Sequence, residues 1–140
     1  YVAKVIQLFE TMLVRHGVMV CGRTGSGKTV GIHCLKQALT VCNKRGHGVP
    51  AVKIYTMNPK SIKSSQLYGN FDENTHEWTD GVLCVLYRQA VKEFGEFGKT
   101  DRQWIVFDGP VDAIWIESMN TVLDDNKKLL LLVTSWKMMG

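Results

Sequence analysis

The string Gly22-Arg23-Thr24-Gly25-Ser26-Gly27-Lys28-Thr29 matches the pattern G-x-x-x-x-G-K-[ST] in full. Its chemistry is that of phosphate binding. Glycines reach positive φ and carry no Cβ, so backbone N–H groups can wrap an anion closely. A lysine at this place reaches β- and γ-phosphates, and the hydroxyl after it ligates Mg²⁺. Gly22, Thr24, Gly25, Ser26, Gly27, Lys28 and Thr29 are therefore the expected nucleotide contacts. The competing reading is a chance glycine-rich turn.

The second half of such a site is an acidic residue ending a hydrophobic strand. Trp104-Ile105-Val106-Phe107-Asp108 supplies it, and Asp108 is expected to hold the magnesium ion with Thr29, through the ion's water shell. Asp108 could also be a plain turn former. Hydrolysing members of the AAA+ class usually place a glutamate directly after this aspartate to polarise the attacking water. Here that position is Gly109. Asp112 and Glu117 lie further along and read as a helix cap and a solvated face. The site is expected to hold ATP, or ADP, with Mg²⁺ and to hydrolyse slowly or not at all, with no catalytic residue.

The elements around the loop suit that role. Val2, Val5, Ile6, Phe9 and Leu13 form an apolar stripe at helical spacing, ended by Gly17. Val18 to Cys21 reads as a short buried strand running into the loop. Ile32, Leu35, Leu39 and Cys42 mark a helix leaving it, whose positive dipole end would face the phosphates. Residues 43–50 read as a loop, and 51–56 as a strand broken by Asn58-Pro59. The polar stretch 60–79 shows only a turn at Gly69-Asn70. Asp80 is placed to N-cap a helix with core residues Leu83, Leu86, Ala90 and Phe94. After a loop over 95–103 comes strand 104–107. Gly109-Pro110 turns the chain, Asp112 caps a helix bearing Ile116, Met119 and Leu123, and Leu129 to Val133 is a last strand. Strands alternating with helices predict a parallel sheet covered on both faces.

At 140 residues, the chain has the size of one domain. Hydrophobic residues make up 45% and charged ones 21%, which excludes disordered, collagen-like and coiled-coil classes. The longest aliphatic run, Leu129 to Val133, is far short of the roughly 20 residues that span a bilayer. Glu10, Arg15 and His16 interrupt the early apolar positions, unlike a signal peptide. A soluble intracellular domain, or a piece of a larger protein, with no membrane association is expected. Cys21, Cys34, Cys42 and Cys84 show no C-x-x-C or zinc spacing and are expected to be small buried hydrophobes. The 17 Lys+Arg against 13 Asp+Glu are scattered, which favours a solvated surface over nucleic-acid binding.

Longer strings resemble dynein heavy chains. They are Glu10-Thr11-Met12-Leu13-Val14-Arg15-His16-Gly17, Asn58-Pro59-Lys60, Leu67-Tyr68-Gly69, Glu77-Trp78-Thr79-Asp80-Gly81, Asp108 through Glu117, and Met119 through Lys127. They are most similar to the second AAA+ module of the motor ring. The Gly-Pro after Asp108 looks like axonemal rather than cytoplasmic chains. The resemblance implies an α/β fold, the P-loop NTPase (AAA+) three-layer sandwich with a parallel sheet. It implies a partial module over 1–140, strongest over 1–128, with 129–140 divergent and the fold incomplete at the C-terminus. Family members work as minus-end-directed microtubule motors for ciliary movement, so the cytoplasm, cytoskeleton and cilium axoneme are the implied locations.

The same resemblance implies that this module binds nucleotide without productive turnover. Its implied partners are neighbouring AAA+ modules of the same heavy chain. Dynein intermediate and light chains and microtubules are partners through the parent protein only. Residues from Val14 to Gly17 would lie beside the adenine. Two departures stand out: Arg23 replaces the family's common proline, and 129–140 diverges where a sensor strand and lid usually follow, with Thr134 or Ser135 in the sensor region.

Two readings from other classes compete. A free-standing P-loop NTPase or small-molecule kinase would need a mobile lid supplying arginines, and past Lys60 only Arg88 and Arg102 occur. A remnant that binds nothing is the other.

Overall fold

The structure is a computed structural model and describes residues 1–15, 17–96, 102–112, 115–116 and 131–134; the side chains of 64, 94–96 and 131–134 are outside that description. Helix α1 spans Val2–Val14, strand β1 Gly17–Val20, and helix α2 Lys28–Lys44. Strand β2 covers Val52–Met57, and a 3₁₀ turn follows at Pro59–Ser61. Next come the short helix α3 (Ser64–Tyr68), strands β3 (Gly69–Phe71) and β4 (Trp78–Asp80), and helix α4 (Val82–Glu96). Strands β5 (Arg102–Asp108) and β6 (Leu131–Thr134) complete the set.

The main sheet has the order β1-β6-β5-β2 and is parallel throughout. Period-two alternation in β5 explains why it is covered on both faces. Trp104 and Val106 point into a core with Met12 of α1, Ile32, Leu35 and Leu39 of α2, and Val52. Ile105 and Phe107 point the other way, into a core with Leu67 of α3, Leu83 of α4, and Trp115. The result is three layers: α1 and α2, the sheet, and α3 with α4. The expected α/β sandwich with a parallel sheet is present.

α2 begins where the loop ends because Gly27 takes the left-handed conformation, φ 81°. Its other end is a Schellman closure on Gly46 (φ 77°): the Gly46 N–H donates to the Asn43 carbonyl and the His47 N–H to the Cys42 carbonyl. The helix thus runs into the expected 43–50 loop before stopping.

Several expectations are corrected. The buried face of α1 is Val5, Leu8, Phe9 and Met12, while Val2, Ile6 and Leu13 are exposed. Spacings of three (Val5 to Leu8, Phe9 to Met12) and four (Val5 to Phe9, Leu8 to Met12) put the first set on one face; the expected stripe straddled two faces. Arg15, in extended conformation, ends α1, and Gly17 already belongs to β1. Gly69-Asn70 is strand, not turn. The reversal lies at 72–77, where Asp72 Oδ1 accepts from the N–H groups of Asn74 at 2.8 Å and Thr75 at 3.4 Å.

Asp80 closes β4 and does not cap α4, since its carboxylate takes the Trp78 indole N–H at 3.0 Å and the Arg88 guanidinium. In α4, Leu83 and Ala90 are buried, Leu86 is half-buried, and Tyr87 also joins the core; the Phe94 side chain lies outside the described residues. α4 runs to Glu96 and β5 starts at Arg102, both inside the expected 95–103 loop. None of the four cysteines is buried: Cys21 and Cys34 are exposed, Cys42 and Cys84 half-buried. Cys84 donates its thiol proton to the Tyr68 carbonyl at 3.2 Å, and Cys34 lies on the outer side of α2, away from Ile32 and Leu35. Past Asp112, the Ile116 N–H donates to the Asp112 carbonyl at 3.3 Å, while His16, Glu117, Met119, Leu123, Leu129, Leu130 and Ser135 lie outside the described residues. Among those described, no helix is long and apolar enough to cross a membrane.

Candidate functional site

Parallel pairing brings the C-terminal ends of all the main strands to one edge of the sheet, the edge where ligands of open α/β sheets bind. β1 delivers the chain into the glycine loop there, and β5 delivers Asp108. Strand β6 lies between them: Thr134 is in register with Val20 on one side and Asp108 on the other. The Thr134 backbone therefore stands at the level of the loop; its side chain is outside the described set.

The loop curls tightly. The Ser26 N–H donates to the Arg23 carbonyl at 3.1 Å. Gly25 and Gly27 both have φ 81°, and a Cβ on Gly22 would stand 2.8 Å from Ser26 Oγ. These glycines are what the curl requires. The Lys28 ammonium reaches back over the loop and donates to the carbonyls of Gly22 and Arg23, each at 2.8 Å. Thr29, in the first turn of α2, donates its hydroxyl to Asp108 Oδ2 at 3.1 Å across a sequence gap of 79 residues. The first turn of α2 carries no acidic side chain of its own, so apart from the Asp108 carboxylate at Thr29 the positive end of the helix dipole is open toward the loop.

The structure thus gathers Gly22, Thr24, Gly25, Ser26, Gly27, Lys28, Thr29 and Asp108 at one end of the sheet. Thr24 and Ser26 are exposed on the loop. Of the residues expected beside a base, Val14, Arg15 and Gly17 are exposed, and His16 is not described. Among the described residues no cluster of three or more His, Cys, Asp or Glu converges. The oxygen pair of Thr29 and Asp108 suits a hard cation whose remaining ligands are phosphate and water. The donor set and the bare curled loop both fit Mg²⁺ with a polyphosphate.

Two residues at this edge are not among the site residues expected from sequence. Asn58 follows β2 directly, and its Oδ1 would lie 2.5 Å from a Cβ on Gly109. Tyr1 lies over Gly27, its ring edge 3.2 Å from where a Cβ would be. The resemblance at Asn58-Pro59-Lys60 was a usable signal for the first. Nothing local marks the second, because its contact spans 26 residues.

Further polar contacts fix the layers around the site. Lys53 of β2 pairs with Glu93 of α4, which also accepts from the Tyr55 hydroxyl at 3.0 Å. The hydrogen bond from Lys53, and then that from Tyr55, holds the Glu93 carboxyl below its ordinary range. The same pairing with Glu93 raises Lys53. Tyr68 donates to the Trp115 carbonyl at 2.6 Å, and burial raises its phenol above the usual range.

Comparison with known proteins agrees with this architecture. Residues 17–135 match the family described as AAA domain (dynein-related subfamily). The chain is 50% identical over 133 residues to dynein axonemal heavy chain 12 of Homo sapiens, covering 94% of this chain. It is 52% identical over 133 residues to human dynein axonemal heavy chain 6, covering 93% of this chain. It is also 51% identical over 128 residues to the dynein gamma chain, flagellar outer arm, of Chlamydomonas reinhardtii, covering 91%. The chain spans 4% of the first of these relatives and 3% of the other two.

Proposed function

The chain belongs to the dynein-related subfamily of AAA domains, and on that premise we propose that it is a nucleotide-holding ring module of an axonemal dynein heavy chain. The similarity to axonemal chains at about half of all positions supports the parent. Among the ring modules, the second is the best reading, and residues 1–140 form part of it. The parent would be a minus-end-directed microtubule motor for ciliary movement in the axoneme. This segment would contact neighbouring AAA+ modules of its own chain. Microtubules and the intermediate and light chains would be met through the parent alone.

At the site, the N–H groups of Gly22, Thr24, Gly25 and Gly27 would cradle the phosphates of ATP or ADP, with Ser26 on the same loop holding the curl through its N–H on the Arg23 carbonyl and Lys28 leaving its two carbonyls to meet the phosphates. Thr29 and Asp108 would hold Mg²⁺, whose chemistry is to neutralise charge on the phosphate oxygens. Gly109 provides no base, so the site retains nucleotide and turns it over little or not at all. The observation that carries this reading is the Thr29 hydroxyl on Asp108 at 3.1 Å, beside a loop already curled around Lys28.

The test pairs two readouts on one sample, the melting shift with Mg·ATP and phosphate release, with Lys28→Ala as control. A ligand that binds only the folded state stabilises it by RT ln(1 + [L]/Kd). The expected result is a shift that Lys28→Ala abolishes, without phosphate release. Lys28-dependent release would instead favour a free-standing P-loop NTPase or, with an added acceptor, a small-molecule kinase. No shift would overturn nucleotide binding by this chain.

A further inference from the structure

The residue that precedes α1 touches the phosphate loop. The Tyr1 hydroxyl donates to the Gly27 carbonyl at 3.4 Å. Its ring edge stands 3.2 Å from the Cβ position of Gly27, and its hydroxyl oxygen 3.5 Å from that of Gly31. Gly27 and Gly31 are four apart, so their bare faces stack on one side of the first turn of α2. The Gly31 N–H donates to the Gly27 carbonyl at 2.8 Å, making Gly27 the pivot between loop and helix. A Cβ on Gly27 would crowd the ring edge, whereas one on Gly31 would come only into ordinary contact with the hydroxyl.

We propose that Tyr1 is a positioning residue of the phosphate loop, an aromatic brace that fastens the start of α1 to the pivot glycine of the anion site. The consequence for binding rests on the nucleotide reading above. The remainder of α1 is anchored on α2 and the sheet through Phe9 and Met12. With Tyr1 in place, both ends of the loop are tied, one to β1 and the other to the α1–α2 layer. A loop ordered in advance loses less conformational freedom when it closes on an anion. The brace acts on the loop and not on a base, so it should serve any polyphosphate equally.

The test uses the 140-residue chain with Tyr1→Ala and Tyr1→Phe. Amide hydrogen exchange without ligand is read at Gly31, whose N–H bonds to the pivot, against Leu35 and Leu39 of the same helix. Titrations with Mg·ATP and with Mg·tripolyphosphate follow. Tyr1→Ala is expected to lower protection at Gly31 while leaving Leu35 and Leu39 unchanged. It should weaken both ligands by the same factor, about fivefold for the loss of one aromatic contact. Tyr1→Phe keeps the ring and should retain most of both. Unchanged protection at Gly31 would overturn the brace, and so would a loss for ATP that spares tripolyphosphate, since the ring would then be serving the base. If neither ligand binds even the unaltered chain, the nucleotide reading fails, while the exchange readout still decides whether Tyr1 braces the loop.

Discussion

Asn58 Oδ1 would stand 2.5 Å from a Cβ on Gly109, with Asn58 Cγ at 3.1 Å and Pro59 Cδ at 3.4 Å from the same point. The two residues meet because β2 and β5 are paired in register up to Met57 and Phe107, so the chain leaves both strands side by side. Asn58 is not free to retreat, since its Oδ1 caps the 3₁₀ turn by accepting the Lys60 N–H at 3.0 Å. Gly109 therefore does more than lack a carboxylate: its neighbour occupies the space in which any side chain would have to begin.

Gly109→Ala should accordingly destabilise the fold, although its φ lies outside the left-handed region. Overpacking of this kind costs about 1–3 kcal/mol, several degrees in Tm for a chain of this length. The double variant Gly109→Ala/Asn58→Ala should recover part of that loss, even though it gives up the cap. Thermal melts of the two single variants and the double decide the matter. Simple additivity would show that the two side chains do not compete.

The pair of Thr29 and Asp108 should set the dependence of nucleotide binding on magnesium. Asp108→Asn keeps the shape and removes the charge, and Thr29→Ala removes the hydroxyl that donates to Asp108. Loss of a metal ligand or its partner is expected to cost about 10–100-fold in metal affinity. ATP titrations at fixed magnesium and in excess chelator should separate the variants from the unaltered chain in the first condition and merge them in the second. A loss that persists in chelator would assign both residues to loop structure instead.

The parts of this arrangement that were legible in sequence are local ones. The phosphate loop declares itself by glycine, lysine and threonine at fixed offsets, and β5 by four consecutive apolar residues before Asp108. Ile32, Leu35 and Leu39 followed from helical spacing alone and are buried. What stayed hidden depends on contacts distant in sequence. Strands β3 and β4 are three residues each, too short to show an alternating pattern, so only their pairing with one another makes them strands. Asp80 has the residue type of a helix cap, yet the indole of Trp78 and the guanidinium of Arg88 take its carboxylate. The brace by Tyr1 and the crowding by Asn58 are likewise tertiary, with no periodicity to betray them. Cysteine was read from its average burial, and the surface of α2 simply departs from that average at Cys34.

Tyr68 joins α3 to the segment that follows Asp108, and its removal should be felt there. Its hydroxyl donates to the Trp115 carbonyl at 2.6 Å, and the Trp115 ring stacks on Phe107 with centroids 5.6 Å apart. Tyr68→Phe keeps the ring in its core and leaves a buried residue's carbonyl without this donor. The expected cost is about 1–2 kcal/mol, measured by thermal or denaturant unfolding. An unchanged midpoint would mean that water replaces the hydroxyl at no cost.

The bridge between Lys53 and Glu93 supplies the pH-dependent prediction, and its sign follows from the two shifts. Glu93 is held below its ordinary value of 4.5, first by Lys53 and then by Tyr55. Its contribution is therefore present above that value and is lost as pH falls through the lowered one. Lys53 is raised above 10.5, first by Glu93 and then by Tyr55, so its contribution is present below 10.5 and is lost as pH rises through the raised value. Stabilisation by the bridge should thus form a plateau with an acid and an alkaline edge. The difference in Tm between the unaltered chain and Glu93→Gln should be constant across neutral pH and shrink below about pH 4. Both side chains are partly exposed, 47% for Lys53 and 26% for Glu93, so the plateau should be shallow and should flatten further at about 1 M salt. A difference that grows as the pH falls below 4 would contradict the ionised pairing and make the Tyr55 hydrogen bond the principal tie between β2 and α4.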